Sequence, residues 1–190
     1  MKQRPGQLVV LSGPSGVGKG TIHERVRARR PDMTLSVSAT TRTPRKGEQH
    51  GIDYHFMTEE AFEGMVSEGR FLEHAIYAGH RYGTPLDSIE ASLARDVTVI
   101  LDIDVQGAQQ VRAADPAALL IFLAPPSLAE LERRLRHRGT EDDDAVARRL
   151  RRAAEELSMR DAFDVTIVND DVDRCVDEVI AAIDGARSRR

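Results

Sequence analysis

Apolar runs recur along the chain at Leu8 to Leu11, Leu35 to Val37, Phe71 to Ile76, Val97 to Leu101, Leu119 to Leu123 and Val165 to Val168, with helix-forming stretches between most of them. Strand candidates that alternate with helices select an α/β architecture. The runs VTVIL and LLIFL are apolar throughout instead of alternating, as strands covered on both faces must be, so the expectation is a mainly parallel central sheet flanked by helices. FLEHAIY and the nearby DYHF are less regular. They predict a small antiparallel piece outside the main sheet, between Ser36 and Ala94. Ser127-x-x-Glu130 and Thr140-x-x-Asp143 have the shape of capping boxes and predict two helix starts. At 190 residues a single domain can bury most of its apolar surface.

The first apolar run feeds directly into Gly13-Pro14-Ser15-Gly16-Val17-Gly18-Lys19, which fits Gly-x-x-x-x-Gly-Lys. In that pattern the glycines let successive backbone N–H groups turn inward around a phosphate, and the lysine reaches the outer phosphates as a point charge. An ordinary glycine-rich turn is the alternative. Context favours the cradle, because helix-forming residues from Ile22 to Arg30 follow and end at Pro31, placing the loop between a strand and a helix. The Ser or Thr that usually follows the lysine and binds Mg²⁺ is here Gly20, and Thr21 points about 100° further round the helix. Metal coordination then needs another source.

Composition excludes several classes. The formal net charge of −4 gives no global attraction to nucleic acid. Arg133, Arg134, Arg136, Arg138, Arg148, Arg149, Arg151 and Arg152 form a basic stretch, but Glu141, Asp142, Asp143 and Asp144 interrupt it. No aromatic residue is interleaved for base stacking, so solvated helix faces paired with acids are the expectation and no nucleic-acid partner is predicted. No apolar run approaches the ~18 residues of a membrane span, and MKQRPGQ is too short for a signal peptide, so cytoplasm is the expected location. Cys175 is expected to fill a helix-lined core. The histidines are scattered, with no two at metal-ligand spacing on one element.

After the second strand comes SATTRTPRKGE, in which Arg42 and Arg45 could grip a phosphate bidentately, with Tyr54 and Tyr82 adding hydroxyl donors. A solvated basic loop is the competing reading. With one phosphate loop already present, a second anion site points to two phosphorylated substrates and to phosphoryl transfer between them.

GPSGVGK, SVSATTRTPRKGE, GIDYHF, FLEHAIYAGHRYGTP, ILDIDVQG, FLAPPS, LRHRGTEDD and IVNDD occur in this order, and over Leu8 to Asp173 the chain resembles the guanylate kinases. The resemblance implies a phosphate-loop kinase fold: a core of residues 1–35, 95–133 and 160–190, a small α+β GMP-binding insertion of residues 36–94, and a helical lid of residues 134–159. It implies phosphorylation of GMP, and of dGMP as well, by ATP with Mg²⁺; oligomeric state stays open. The loop residues Gly13 to Thr21 would hold ATP, with Asn169 near adenine, where a simple turn residue is the alternative. Ser38, Arg42, Arg45, Tyr54 and Tyr82 would surround GMP, while Glu73, Thr84 and Asp104 would face guanine. Thr84 stands where the family often has serine. Lys19, Arg42, Arg134, Arg138 and Arg149 would neutralise the transferring phosphate. Asp102 resembles the carboxylate that holds Mg²⁺ directly or through water, with a strand-end cap as the alternative. Chemistry supports Glu73 in that role: guanine presents N1–H and N2–H₂ donors and an ionised carboxylate only accepts, whereas adenine offers a lone pair that a carboxylate repels. An exposed strand residue is the other reading of Glu73. Two other functions remain open, a non-catalytic protein-binding module of guanylate-kinase type and a kinase for another nucleoside monophosphate.

Overall fold

A computed structural model describes residues 5–77, 79–137 and 143–189. In chain order the elements begin with β1 (Leu8–Ser12), α1 (Lys19–Arg29), β2 (Met33–Leu35), β3 (Ala39–Thr40), β4 (His55–Phe56) and α2 (Glu59–Ser67). They continue with β5 (Phe71–Tyr77), β6 (His80–Pro85), α3 (Leu86–Ala94), β7 (Thr98–Asp102), α4 (Val105–Ala114) and β8 (Leu119–Ala124). The last are α5 (Leu128–His137), α6 (Asp143–Ser158), β9 (Val165–Val168) and α7 (Val172–Arg187). The fold is α/β, with parallel strands covered by helices, and no described helix is long and apolar enough to cross a membrane.

The chain divides into two compact units. One comprises Val9–Pro31, Asp102–Val105 and the segment from Leu119 onward. Its strands β1, β8 and β9 run parallel, with Val10 opposite Leu120 and Ile121 opposite Val165. Every residue of β1 and β8 is buried, which is why their sequences are apolar without alternation. Ile22 and Val26 give α1 a buried stripe at i, i+4, and α7 buries Cys175, Val176, Val179 and Ile183 at the same spacing. Leu131 and Leu135 of α5 pack with Val146 and Ala153 of α6, so these two helices share a small core of their own. Each fully buried leucine there contributes about 1.5–3 kcal/mol. The exposed Arg25–Asp173 and Arg29–Asp177 pairs, by contrast, add little to the contact between α1 and α7.

The other unit comprises the segment up to Leu8, Asp32–Leu101 and Gln106–Ala118. Here β2 pairs in parallel with β7, and a second sheet has the order β4-β3-β6-β5. Thr58 caps α2 by accepting from the Ala61 N–H at 3.2 Å, and α2 anchors itself by stacking buried Phe62 on Phe71 with ring centroids 4.5 Å apart. A register shift between Phe71 and Glu73 leaves Glu73 opposite Thr84 across the β5–β6 pair.

Several sequence expectations shift. The second strand is Met33–Leu35, not Leu35 to Val37, because Met33 is the residue that is buried and paired with Thr98, whereas Leu35 and Val37 are only half-buried. The small sheet is mixed: β5–β6 and β3–β6 are antiparallel but β3–β4 is parallel. Ser127 accepts from the Glu130 N–H at 3.1 Å as a capping box requires, yet the Glu130 carboxylate turns to Arg133 and Arg134, whose ion pairs win over the neutral cap. Cys175 is fully buried, and burial pushes its thiol up to about 11. Arg138 and Thr140, the residue that opens the second box, lie outside the described residues, whereas Asp143, the last residue of that box, begins α6.

Candidate active site

Gly13 to Gly18 connect β1 to α1. Gly13 must be glycine: at φ +146° a Cβ would lie 2.3 Å from the Leu123 carbonyl oxygen. Gly18 caps α1 in the left-handed region at φ 102°, where a Cβ would meet the Asn169 amide nitrogen at 2.7 Å. No side chain caps this helix start and no acidic residue occupies its first turn. The first-turn N–H groups therefore meet the positive end of the helix dipole without an intrahelical partner, an arrangement suited to an anion. The Val17 N–H donates to the Pro14 carbonyl at 3.2 Å, and buried Val17 pins the loop to the core.

Residues far along the chain converge on this loop. Asn169, 3% exposed, donates through Nδ2 to the Val17 carbonyl at 2.7 Å. Arg134 donates to the carbonyls of Val17 at 3.2 Å and Asn169 at 3.0 Å, with Glu130 accepting from its Nε at 2.8 Å. Arg149 donates to the Ser15 hydroxyl at 2.6 Å, and Lys19 folds back to donate to the Gly13 carbonyl at 2.6 Å. The structure thus brings Lys19, Arg134, Arg149 and Asn169 together around Gly13 to Gly18. Gly20 faces open space, with nothing within 4 Å of a Cβ added there, and Thr21 is exposed.

Asp102 ends β7 with its side chain 38% exposed. Desolvation opposes its ionisation, but the neighbouring His23 imidazole and the Lys19 ammonium outweigh that and hold the carboxyl below its usual range. Asp104, more enclosed, accepts from Arg152 at 3.4 Å, and Arg152 also donates to Glu156 at 3.2 Å. Burial raises the Glu156 pKa. No cluster of three or more His, Cys, Asp or Glu among the described residues is arranged to hold a metal. Asp102, an ionised carboxylate within the field of Lys19, suits a Mg²⁺ that keeps its waters and rides on a ligand's phosphates.

In the other unit, Arg42 makes a bidentate pair with Glu48 at 2.9 and 3.0 Å. Its guanidinium lies 5.4 Å from the Tyr54 ring centroid and 5.8 Å from that of Phe56. Tyr54 and Tyr82 stand 6.0 Å apart. The Glu48 pair, and after it the Tyr82 hydroxyl, raise the Arg42 pKa against the effect of burial. Glu48 also accepts from the Arg45 main-chain N–H at 2.7 Å, so one carboxylate occupies the Arg42 guanidinium fork and ties it to the Arg45 backbone. Ser38 accepts through its carbonyl from the His55 N–H at 2.8 Å, beside the same β3–β4 pair. Glu73 is 5% exposed, which removes the exposed-strand reading, and accepts from the fully buried Thr84 hydroxyl at 2.6 Å.

Sequence reasoning missed three members of these clusters. Glu48, Arg152 and His23 touch expected site residues, but only the Arg152–Glu156 spacing of i, i+4 is readable along the chain. The contact of Arg152 with Asp104 and that of His23 with Asp102 depend on how the elements pack.

A buried strand, a glycine cradle and an uncapped helix start, with arginines delivered by a separate helical pair, define a phosphate-loop nucleotide-binding protein of the α/β class. The guanylate kinase family profile matches residues 5–186. The guanylate kinase of Thermosynechococcus vestitus is 51% identical over 180 residues, spanning 95% of this chain and 94% of its own. That of Frankia casuarinae is 51% identical over 182 residues, spanning 96% and 99%. A crystal structure of guanylate kinase from Anaplasma phagocytophilum superposes with a TM-score of 0.80 at 34% identity, covering 98% of this chain and 89% of that one. The chain belongs to the guanylate kinase family.

Proposed function

We propose that the protein transfers the γ-phosphoryl group of ATP to GMP, giving ADP and GDP. Family membership supplies the reaction class, and the observation that carries the choice of acceptor is Glu73, a buried carboxylate seated against the Thr84 hydroxyl. A buried carboxylate of this kind is stabilised by a base edge that donates twice, as guanine does, and opposed by one that presents a lone pair. In this reading Ser38, Arg42, Arg45, Tyr54 and Tyr82 hold the GMP phosphate, which displaces Glu48 from the arginine fork, and Asp104 assists with guanine. Gly13 to Thr21 cradle the ATP phosphates, and Asn169 lies beside adenine. Lys19, Arg134, Arg149 and Arg138 neutralise charge as the phosphoryl group moves; Lys19 and Arg134 would exchange loop carbonyls, and Arg149 the Ser15 hydroxyl, for phosphate oxygens.

Mg²⁺ would supply charge neutralisation on the phosphates, held by those phosphates, water and Asp102. Residues 36–94 would form the GMP-binding insertion and residues 134–159 the lid, on a core of residues 1–35, 95–133 and 160–190. Drawing on nucleotide pools, the protein would act in the cytoplasm. The test is ADP release with GMP, AMP, CMP and UMP compared side by side: GMP should exceed each of the others by orders of magnitude. Equal rates would remove the base-reading role of Glu73, and no turnover with any of them would leave only a binding module.

A further inference from the structure

His23 has no obvious reason to be a histidine. It lies on α1 one turn after Lys19, between Ile22 and Val26, and is 7% exposed. An aliphatic side chain would fill that position without bringing polar atoms into the core. Its Nε2 is fully buried and makes no hydrogen bond to any described residue, yet it stands 3.4 Å from Oδ2 of Asp102. A buried ring nitrogen this close to a carboxylate it does not quite engage is unusual, because native interiors pair such groups. Site hydrogen bonds are often long or misaligned before the ligand arrives and tighten when it does. The Asp102 side chain is partly open while His23 is enclosed, so the imidazole approaches the carboxylate from the core side.

We propose that His23 is a positioning residue for Asp102: donating from Nε2 to Oδ2, it fixes the carboxylate so that its remaining acceptor capacity faces the hydrated Mg²⁺ of bound MgATP. This rests on Asp102 being the carboxylate that serves the ion. Partners that orient a metal-serving group are typically worth 10- to 100-fold in metal affinity when lost. Where the ion is held mainly by phosphates and water the effect falls at or just below the bottom of that range, roughly 5- to 10-fold.

The decisive quantity is the strengthening of ATP binding by Mg²⁺, the ratio of the dissociation constants measured in EDTA and in saturating MgCl₂ by calorimetry on the full chain. His23→Leu keeps the volume and loses the donor; His23→Gln keeps a donor at similar reach. Leu should cut the ratio roughly 5- to 10-fold by weakening only the Mg²⁺ measurement, Gln should restore it to within about twofold, and the half-activating Mg²⁺ concentration for turnover should move in parallel. Adding His23→Leu to Asp102→Asn should cost nothing further, since the two act through one contact. A role in packing alone would lower the melting temperature of the Leu variant and leave the ratio untouched, and that result overturns the proposal. So does an effect equal in EDTA and in Mg²⁺. If Asp102→Asn itself leaves the ratio unchanged, the assignment of Asp102 fails and takes this inference with it; if Asp102→Asn lowers the ratio and His23→Leu does not, only the positioning role fails.

Discussion

Replacing Glu73 with Gln exchanges one oxygen for an NH₂ at nearly constant volume, so it perturbs hydrogen bonding and charge without opening a cavity. The Thr84 hydroxyl donates to Glu73 at 2.6 Å inside a site where Glu73 is 5% exposed and Thr84 is fully buried. Thr84 keeps its acceptor only if the amide oxygen stays on that hydroxyl, which turns the new NH₂ toward the guanine edge. Two donors then face each other away from water, at a cost of about 1–3 kcal/mol. Affinity for GMP should fall roughly 5- to 150-fold. The loss of negative charge also removes the repulsion felt by the adenine lone pair, so AMP should be rejected less strongly. Binding of ATP should stay within about twofold, because the glycine cradle draws on none of these groups. The assay is kcat/KM for GMP and AMP in both proteins, with the melting temperature as a check on folding. An unchanged ratio of GMP to AMP would refute the reasoning, and the base reader would have to be sought elsewhere than β5 and β6.

Lys19→Met should fold normally and lose at least about 100-fold in turnover, the usual loss for one preorganised charge donor, as measured by steady-state kinetics. Gly20→Ser should change the Mg²⁺ dependence of activity only mildly, because a side chain there enters open space, whereas Asp102→Asn should change it strongly; the opposite order in a Mg²⁺ titration would show that the metal assignment is wrong. Cys175, fully buried and with its thiol pushed up to about 11, should resist an aromatic disulfide reagent at pH 8 until the protein is unfolded, and rapid labelling of the native protein would contradict its place in the core. Arg42 and the Arg45 N–H lower the Glu48 pKa below its ordinary 4.5, so the stabilisation by this pair is present above pH 4.5 and is lost as the pH falls through the folded-state value. The melting temperatures of wild type and Glu48→Gln should accordingly differ at pH 7 and converge in acid.

The cradle was legible in the sequence because it is local. Gly13 and Gly18 adopt positive-φ backbone that favours glycine whatever surrounds it, and Lys19 begins the helix that follows. The buried parallel strands were legible for a related reason: enclosure on both faces demands an uninterrupted apolar run, and β1 and β8 have one. Short strands were harder. In β2 the burial of Met33 is set by its pairing with Thr98, and in β3 and β4 two residues each carry no period to read. The roles proposed for Arg42, Glu73 and Arg134 rest on resemblance to a family and not on any local pattern, since an arginine on a loop or a glutamate in a strand looks the same whether it is solvated or enclosed.

What the sequence determined by itself, then, is the class of fold and the phosphate-binding loop, both products of short-range geometry and of apolar runs whose meaning does not change with context. The tertiary structure decided which charged groups meet. Arg149 reaches Ser15 across 134 positions and Asn169 reaches Val17 across 152. It also set Glu73 against Thr84 through a register shift in β5, placed Glu48 in the arginine fork, and brought the buried imidazole of His23 to Asp102. Such contacts depend on distances of a few ångströms between side chains, and those distances are fixed only when the helices and strands that carry them have packed, because close packing in the interior leaves each side chain few places to go.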